Sequence, residues 1–455
     1  MMKYKIAAII IVITYFVHTF FLPTGGIGAD SLSYFGIASD LPKIKTNLFP
    51  LGYPLLLEIG HFFTKDYFWS SKILNLLLTS TILLFSYFKK YYFRETVLLF
   101  MGKTFFFVFA GTLSEGTFIF FLYFMIYFLH QVFMKKNMVR NAVFASIALT
   151  CLFTVRYSGV YIYLSALVFG VFVFNKIKNK EYFKPYLFFV ILSGIGVGGY
   201  LLFNFLNLGT FTGENLRGKP IWISYIYTVR DIFGLANAVD PYIGIKPASN
   251  SLASMAFQFF VFVIDILLFR YLLTYYRKAK ETQLYYFHQL LWITAAVYGV
   301  SLLLSGYFQQ IEEMGVRLQA AANVCLFFSF LILYFQNQKS DKWIWRIGCF
   351  FFVFLVAYSL KSPSNYLKNK HQIQPQMEKF KDKVYIYNDQ KEIKNVTKYH
   401  IPIINKSFNY EHTNNQKGEI KQSLAGTFYP QIKWVKYDTV RDKSKVLYTS
   451  WLILD

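Results

Sequence analysis

The chain has 455 residues, of which 55% are hydrophobic, 21% aromatic and only 16% charged. Soluble domains carry roughly 25% charged residues, so this balance excludes an ordinary soluble enzyme, a disordered chain and a disulfide scaffold. Lys and Arg total 47 against 24 Asp and Glu, a net charge of +23, which points to nucleic acid in a soluble protein but reports topology in a membrane protein.

Apolar runs of about 20 residues span a bilayer. In chain order such runs fall at 6–22, 73–88, 96–111, 114–134, 141–157, 159–174, 186–205, 254–274, 284–305, 317–335 and 344–360. Backbone facing lipid must satisfy its own hydrogen bonds, so these runs predict an all-α polytopic bundle of about eleven transmembrane helices over 1–360. Cys151, Cys325 and Cys349 lie inside apolar runs and read as small buried hydrophobes.

Every second connection is basic. Lys3 and Lys5 precede the first run, Lys89, Lys90 and Arg94 follow the second, and Lys135, Lys136 and Arg140 follow the fourth. The same holds for Lys176, Lys178, Lys180 and Lys184, then Arg277, Lys278 and Lys280, then Lys339, Lys342 and Arg346. These loops and the N-terminus are expected in the cytoplasm, which places 23–72, 206–253, 306–316 and everything after Lys361 outside. Much of the positive charge is thus a topology signal, and nucleic acid is not expected as a partner. A cleaved signal peptide is the alternative for the first run, since Met1 to Lys5 is basic and Gly28-Ala29 precedes Asp30.

The tail, 361–455, reads as a small soluble β or α+β domain on the outer side. Short alternating segments at 383–387, 428–437 and 446–454 predict strands. Asn395-Val-Thr397 and Asn405-Lys-Ser407 fit a glycosylation acceptor pattern that is common by chance.

The first outer loop, 23–72, carries the most information. Asp30 follows a glycine-rich turn, and Tyr34, Ile37, Ala38 and Leu41 then recur at helical spacing. Asp30 is therefore expected to cap a helix lying along the membrane surface. Pro50 and Pro54 bracket a turn, and a second amphipathic helix is expected from Pro54 to about His61.

The order Asp30, Tyr34, Ala38, then Pro50-Leu-Gly-Tyr-Pro-Leu55 resembles the first periplasmic loop of GT-C glycosyltransferases, in particular the protein O-mannosyltransferase and aminoarabinose transferase group of family 39 type. Ser114-Glu115 resembles the Ser-Glu opening that group's fourth span. Thr154-Val-Arg-Tyr-Ser-Gly159 resembles its Arg-Tyr-x-Gly, and Thr212-Gly-Glu-Asn-Leu-Arg217 its Thr-Gly followed by Arg. The resemblance covers about residues 1–335, through short motifs whose order and spacing agree. Many members have two adjacent acids in the first loop, whereas Ser31 follows Asp30 here, which leaves a two-carboxylate metal site open to doubt.

The resemblance implies a polyprenyl-phosphate-linked sugar as donor, a glycan, lipid or protein acceptor, membrane lipids as surroundings, and a bacterial inner membrane as location. It implies Asp30 as catalytic base for the acceptor hydroxyl, with inversion at the sugar. Surface carboxylates are weak bases, so a catalytic one must be drawn out of water. The leaving phosphate gains charge, so fixed cations should flank it; Arg156, Arg217 and Arg317 are the candidates, with Lys219 weaker, because a guanidinium fork binds phosphate oxygens in pairs. Arg156 and Arg317 can equally snorkel to an interface. Glu115, Tyr34 and Tyr53 are supporting or acceptor-binding candidates, although an acid at a helix start also simply complements the dipole. A divalent cation is left open as cofactor, with its ligands unknown. Glu312 and Glu313 read as a solvated like-charge pair, His61 as an interfacial residue, and Lys103 with Asp265 as a structural pair within the spans.

Two other functions fit the composition. A flippase or transporter of lipid-linked glycans calls for broken helices and polar residues at the midplane. A polymerase or ligase of surface polysaccharide shares the lipid substrate but would depend less on 30–57.

Overall fold

The computed structural model describes residues 1–21, 29–44, 46–174, 180–216, 225–245, 251–309, 311–338 and 340–360, with the backbone of three short strands beyond. Among the described residues nine helices are long and apolar enough to cross a membrane. They are α1 Met2–Phe20, α4 Tyr67–Phe88, α7 Glu115–Phe133, α8 Met138–Val155, α10 Phe183–Leu208, α12 Leu252–Lys278, α13 Tyr285–Ser305, α14 Ala320–Asn337 and α15 Lys342–Ser359. Shorter helices are α2 Ala29–Asp40, α3 Gly52–Thr64, α5 Phe93–Phe100, α6 Lys103–Ala110, α9 Gly159–Phe174 and α11 Tyr225–Gly234. The helical part of the chain has the architecture of a polytopic membrane protein.

Ten of the eleven expected spans contain one continuous helix. The run at 96–111 does not: it breaks at Met101-Gly102 into α5 and α6. The cause lies far away in sequence. The Lys103 backbone N–H donates to the Pro241 carbonyl at 2.7 Å, and the Lys103 ammonium donates to the Ile243 carbonyl. A methyl group on Gly102 would sit 3.0 Å from that Pro241 oxygen. The 240–244 segment thus supplies acceptors for the start of α6, and non-helical backbone is tolerated in an apolar run where protein covers it.

Two compact units divide the chain, with the division falling inside α1, α4, α6 and α15. One holds 1–12, 78–109 and 114–355; the other holds 13–77, 110–113 and 356–455. At the core of the first unit is α14, whose residues from Ala320 to Tyr334 are all buried, as expected of a helix apolar all round. Helix α8 packs through small residues, with Ala142, Ala145, Ser146 and Ala148 buried, and small side chains let helix backbones approach closely. Ser146 donates to the Phe189 carbonyl of α10 at 3.0 Å. At Gly159 an added methyl carbon would lie 2.8 Å from the Phe153 Cα, so the turn from α8 into α9 requires glycine.

In the second unit, α3 starts at Gly52 and takes Pro54 into its first turn, where no intrahelical N–H is needed. It runs to Thr64, past the expected end near His61, and Lys65 closes it in the left-handed region at φ 58°. Asp66 then opens α4, its carboxylate accepting the Phe68 N–H at 2.8 Å.

Strands β1 Tyr385–Ile386, β2 Thr397–His400 and β3 Asn409–His412 form one sheet in the order β1-β3-β2. β3 pairs parallel with β1 and antiparallel with β2. β1 falls within the expected strand at 383–387; those at 428–437 and 446–454, and Asn395 and Asn405, lie outside the described residues. The cysteines form no disulfide; Cys325 is buried, and Cys151 and Cys349 are half-buried.

Candidate functional site

Four charged side chains of the first unit gather where α7 begins, α8 ends and α14 is about to start. Arg156 leaves α8 in an extended conformation, φ −149° and ψ 132°. Its Nη1 lies 2.6 Å from Glu115 Oε1 and donates to Ser114 Oγ at 3.2 Å. Arg317 brings its Nε to 3.2 Å from the same Glu115 oxygen, and its Nη2 donates to Glu312 Oε2. The four side chains differ in access: Glu115 is 4% exposed, Arg156 17%, Arg317 22% and Glu312 63%. Hydroxyl groups gather nearby. Tyr298 donates to Ser158 Oγ at 3.3 Å, and the Tyr161 hydroxyl is hydrogen-bonded to Ser305 Oγ. Two guanidiniums on one inaccessible carboxylate form a fixed cationic fork with one solvent-facing counter-ion, chemistry suited to a phosphate or carboxylate ligand.

The neighbouring acids do not form the solvated like-charge pair expected from sequence. Glu312 goes to Arg317, while Glu313 accepts from Arg230 Nη2 at 2.9 Å. Next to Arg230, Asp231 Oδ1 accepts the Met314 N–H at 2.9 Å, so α11 holds the 312–317 segment at both a side chain and the backbone. Gly234 completes the contact, because an added methyl carbon would lie 2.1 Å from the Met314 carbonyl oxygen. Burial pushes the Glu313 and Asp231 carboxyls above their ordinary values, and the Arg230 charge only partly opposes it. Sequence reasoning missed Arg230 and Asp231; their one signal was an Arg-Asp pair within a stretch that forms an amphipathic helix.

Asp30 belongs to the second unit. It is the second residue of α2 and half-buried, within the first turn rather than capping it. An acid there still complements the helix dipole. The adjacent Ser31 is buried and shares a hydrogen bond with the Thr112 hydroxyl at 3.0 Å. The same 110–113 turn is held from α4. The buried Lys72 ammonium donates to the Ala110 carbonyl, and Asn75 donates to the Gly111 carbonyl at 2.8 Å. Lys72 was not singled out from sequence, where it ends the 23–72 loop as a lone lysine. Its spacing from Asn75 on one helix face was the available clue.

Tyr34 and Tyr53, expected to support the acceptor, are interior packing residues. Their rings meet edge to face at 5.0 Å, Tyr34 also packs on Phe49, and the Tyr53 hydroxyl is hydrogen-bonded to Ser71 Oγ at 2.7 Å. Both are almost fully buried. His61 stacks on Tyr67 at 4.2 Å and sits 3.8 Å from Glu58, to which Tyr67 donates. Arg217 and Lys219 lie outside the described residues. Glu214, in the same motif, folds back onto its own turn and accepts the Thr212 N–H at 2.8 Å. Among the described residues no group of three or more His, Cys, Asp or Glu gathers to hold a metal ion.

A second polar region lies against the α5–α6 break. Asp240 accepts the N–H groups of Tyr242, Ile243 and Gly244, while Asn237 bonds the Ile245 backbone in both directions. Asp265 of α12 is buried with its carboxyl group beside that of Asp240. The expected Lys103–Asp265 pair is not formed; Lys103 goes to the Ile243 carbonyl instead. No protein-family model, curated protein or solved structure matches this chain.

Proposed function

We propose that the protein is an inverting glycosyltransferase that takes a sugar from a polyprenyl-phosphate donor at the outer face of a membrane and gives it to a hydroxyl of a glycan, lipid or protein. The observation that carries the reading is the convergence of Arg156 and Arg317 on the single buried carboxylate of Glu115. Such a fork is fixed before any ligand arrives, and preorganised cations lower the energy of a leaving group that gains negative charge. The resemblance of its loop, and not its position relative to the fork, makes Asp30 the base in this reading: its carboxylate takes the acceptor proton as the acceptor oxygen bonds to the anomeric carbon. The bond from that carbon to the phosphate oxygen breaks on the opposite side, and the lipid phosphate leaves with the bonding pair.

The test is incubation of the purified protein with a panel of polyprenyl-phosphate sugars and a mixed acceptor extract, scoring release of lipid phosphate and the anomeric configuration of the product. Release with an inverted linkage is the expected result. Release with retention removes the single-displacement mechanism, and no release from any donor removes the assignment.

The α5–α6 break, with Lys103, Asp240 and Asp265 against it, favours a second reading as a carrier of lipid-linked glycans, since transporters build sites at interrupted helices. Reconstituted vesicles separate the two: a carrier moves a labelled lipid-linked sugar between leaflets without releasing lipid phosphate.

A further inference from the structure

The ion pairs described around Arg317 join two guanidiniums, Arg156 and Arg317, to two carboxylates, Glu115 and Glu312. Each carboxylate occupies a place that an anion would need, so an anion is held only if one of them gives way. The two are unequal in this respect. Glu115 is 4% exposed, in the first turn of α7, with both guanidiniums on one of its oxygens. Breaking a buried pair strands a charge. Glu312 is 63% exposed, in an irregular segment, and is paired with Arg317. Exposed ion pairs contribute little, because water competes for both partners. The segment around it is anchored one residue further on, by Glu313 to Arg230 and by the Met314 N–H to Asp231. The Glu312 side chain can therefore swing into solvent while the backbone that presents Arg317 stays in place.

We propose that Glu312 is a displaceable counter-ion: it occupies Arg317 in the resting protein, and a lipid-borne phosphate group, a diester in the donor and a monoester once the sugar has left, enters the Arg156–Arg317 fork by replacing it. With Glu312 away Arg317 loses a negative partner, and an incoming phosphate supplies negative oxygens in its place. Glu312 then sets the affinity of the site, keeping it closed to weakly held anions and opening it to those that reach both guanidiniums. This rests on the reading that the fork receives the donor phosphate.

The test is binding to the full-length protein in detergent, with three probes: farnesyl monophosphate, farnesol and inorganic phosphate. Glu312→Gln keeps the shape and removes the competing charge. It is expected to bind farnesyl monophosphate tighter than the parent, by up to about 5-fold, the range an exposed ion pair commands, with farnesol unchanged. Tightening with inorganic phosphate as well identifies the phosphate group alone as the ligand; tightening with farnesyl monophosphate only identifies a lipid-borne phosphate; both support the proposal. Glu281→Gln, an equal change of charge at another exposed acid of the same unit, is expected to leave all three affinities unchanged. Equal tightening by Glu281→Gln attributes the effect to overall charge and overturns the proposal. Unchanged or weaker binding by Glu312→Gln, together with weaker binding by Arg317→Gln, overturns the displaceable counter-ion and leaves the fork as a phosphate site. Indifference to both substitutions overturns the fork as well.

Discussion

Glu115 and Asp30 are both acids in the first turn of a helix, yet their surroundings give them opposite chemistry. Glu115 is shut away between two guanidiniums, 2.6 and 3.2 Å from one of its oxygens, so any proton it accepted would strand two cations. Asp30 is half-buried at the start of a short helix, next to a hydroxyl pair that fastens α2 to the 110–113 turn. The first acid is a buried counter-ion to two guanidiniums, and the second is half-buried at a helix start. The difference teaches that a carboxylate at a helix start carries no function by position alone; its neighbours decide whether it is a counter-ion or a base.

The largest effect expected from breaking this contrast is on stability. Glu115→Gln leaves Arg156 and Arg317 without their shared buried partner and should cost about 3–5 kcal/mol, as loss of one member of a buried ion pair does. Thermal unfolding in detergent, read against the parent, checks it. A loss within experimental error would place Glu115 in the same class as Asp30 and erase the comparison.

Gly234→Ala acts on the same cluster indirectly. The new methyl group has backbone, not a flexible side chain, in its way at the Met314 carbonyl. A cost of about 1–3 kcal/mol is expected from the forced shift, together with weaker phosphate binding, because the 312–317 segment carries Arg317. Full stability with unchanged binding would show that α11 does not position this segment.

The smallest effect is pH dependence. Burial raises the Glu313 carboxyl above its ordinary value of 4.5, and that of Asp231 above 3.8. The folded protein therefore binds these protons more readily than the unfolded chain. Their contribution to stability grows as pH falls through the raised values toward the ordinary ones, and is lost as pH rises again. Asp341 has the opposite sign. Desolvation would raise its carboxyl, but hydrogen bonds from Lys3 and Tyr4, both at 2.7 Å, outweigh it and hold the group below its ordinary value. Its contribution is present above the ordinary value and is lost as pH falls through the lowered one. Glu313→Gln should flatten the rise in unfolding temperature on mild acidification. An unaltered profile would show that Glu313 titrates as it does in water.

The helices were legible because a run of about 20 apolar residues leaves the backbone little choice in lipid. The α5–α6 break was not, since apolar composition continues through Met101 and its cause, the carbonyls of Pro241 and Ile243, is remote in sequence. The same limit governs the charged site. Arg156, Arg317 and Glu115 each stood out as charges at the ends of apolar runs, but nothing local announces that two guanidiniums share one carboxylate oxygen. Glu312 and Glu313 read as one solvated pair because adjacency is visible in a sequence, while their separate partners, Arg317 and Arg230, are products of folding. Tyr34 and Tyr53 misled for the converse reason. Their motif spacing resembles a functional loop, whereas their rings fill the interior of the second unit.

If Asp30 is the base of a transfer reaction and Glu115 is not, the deciding quantity is the rate of lipid-phosphate release from a polyprenyl-phosphate sugar by Asp30→Asn protein whose unfolding temperature matches the parent. A fall of about 10²- to 10⁴-fold, the range for loss of a general base, is the predicted result; release at the parent's rate would contradict the claim.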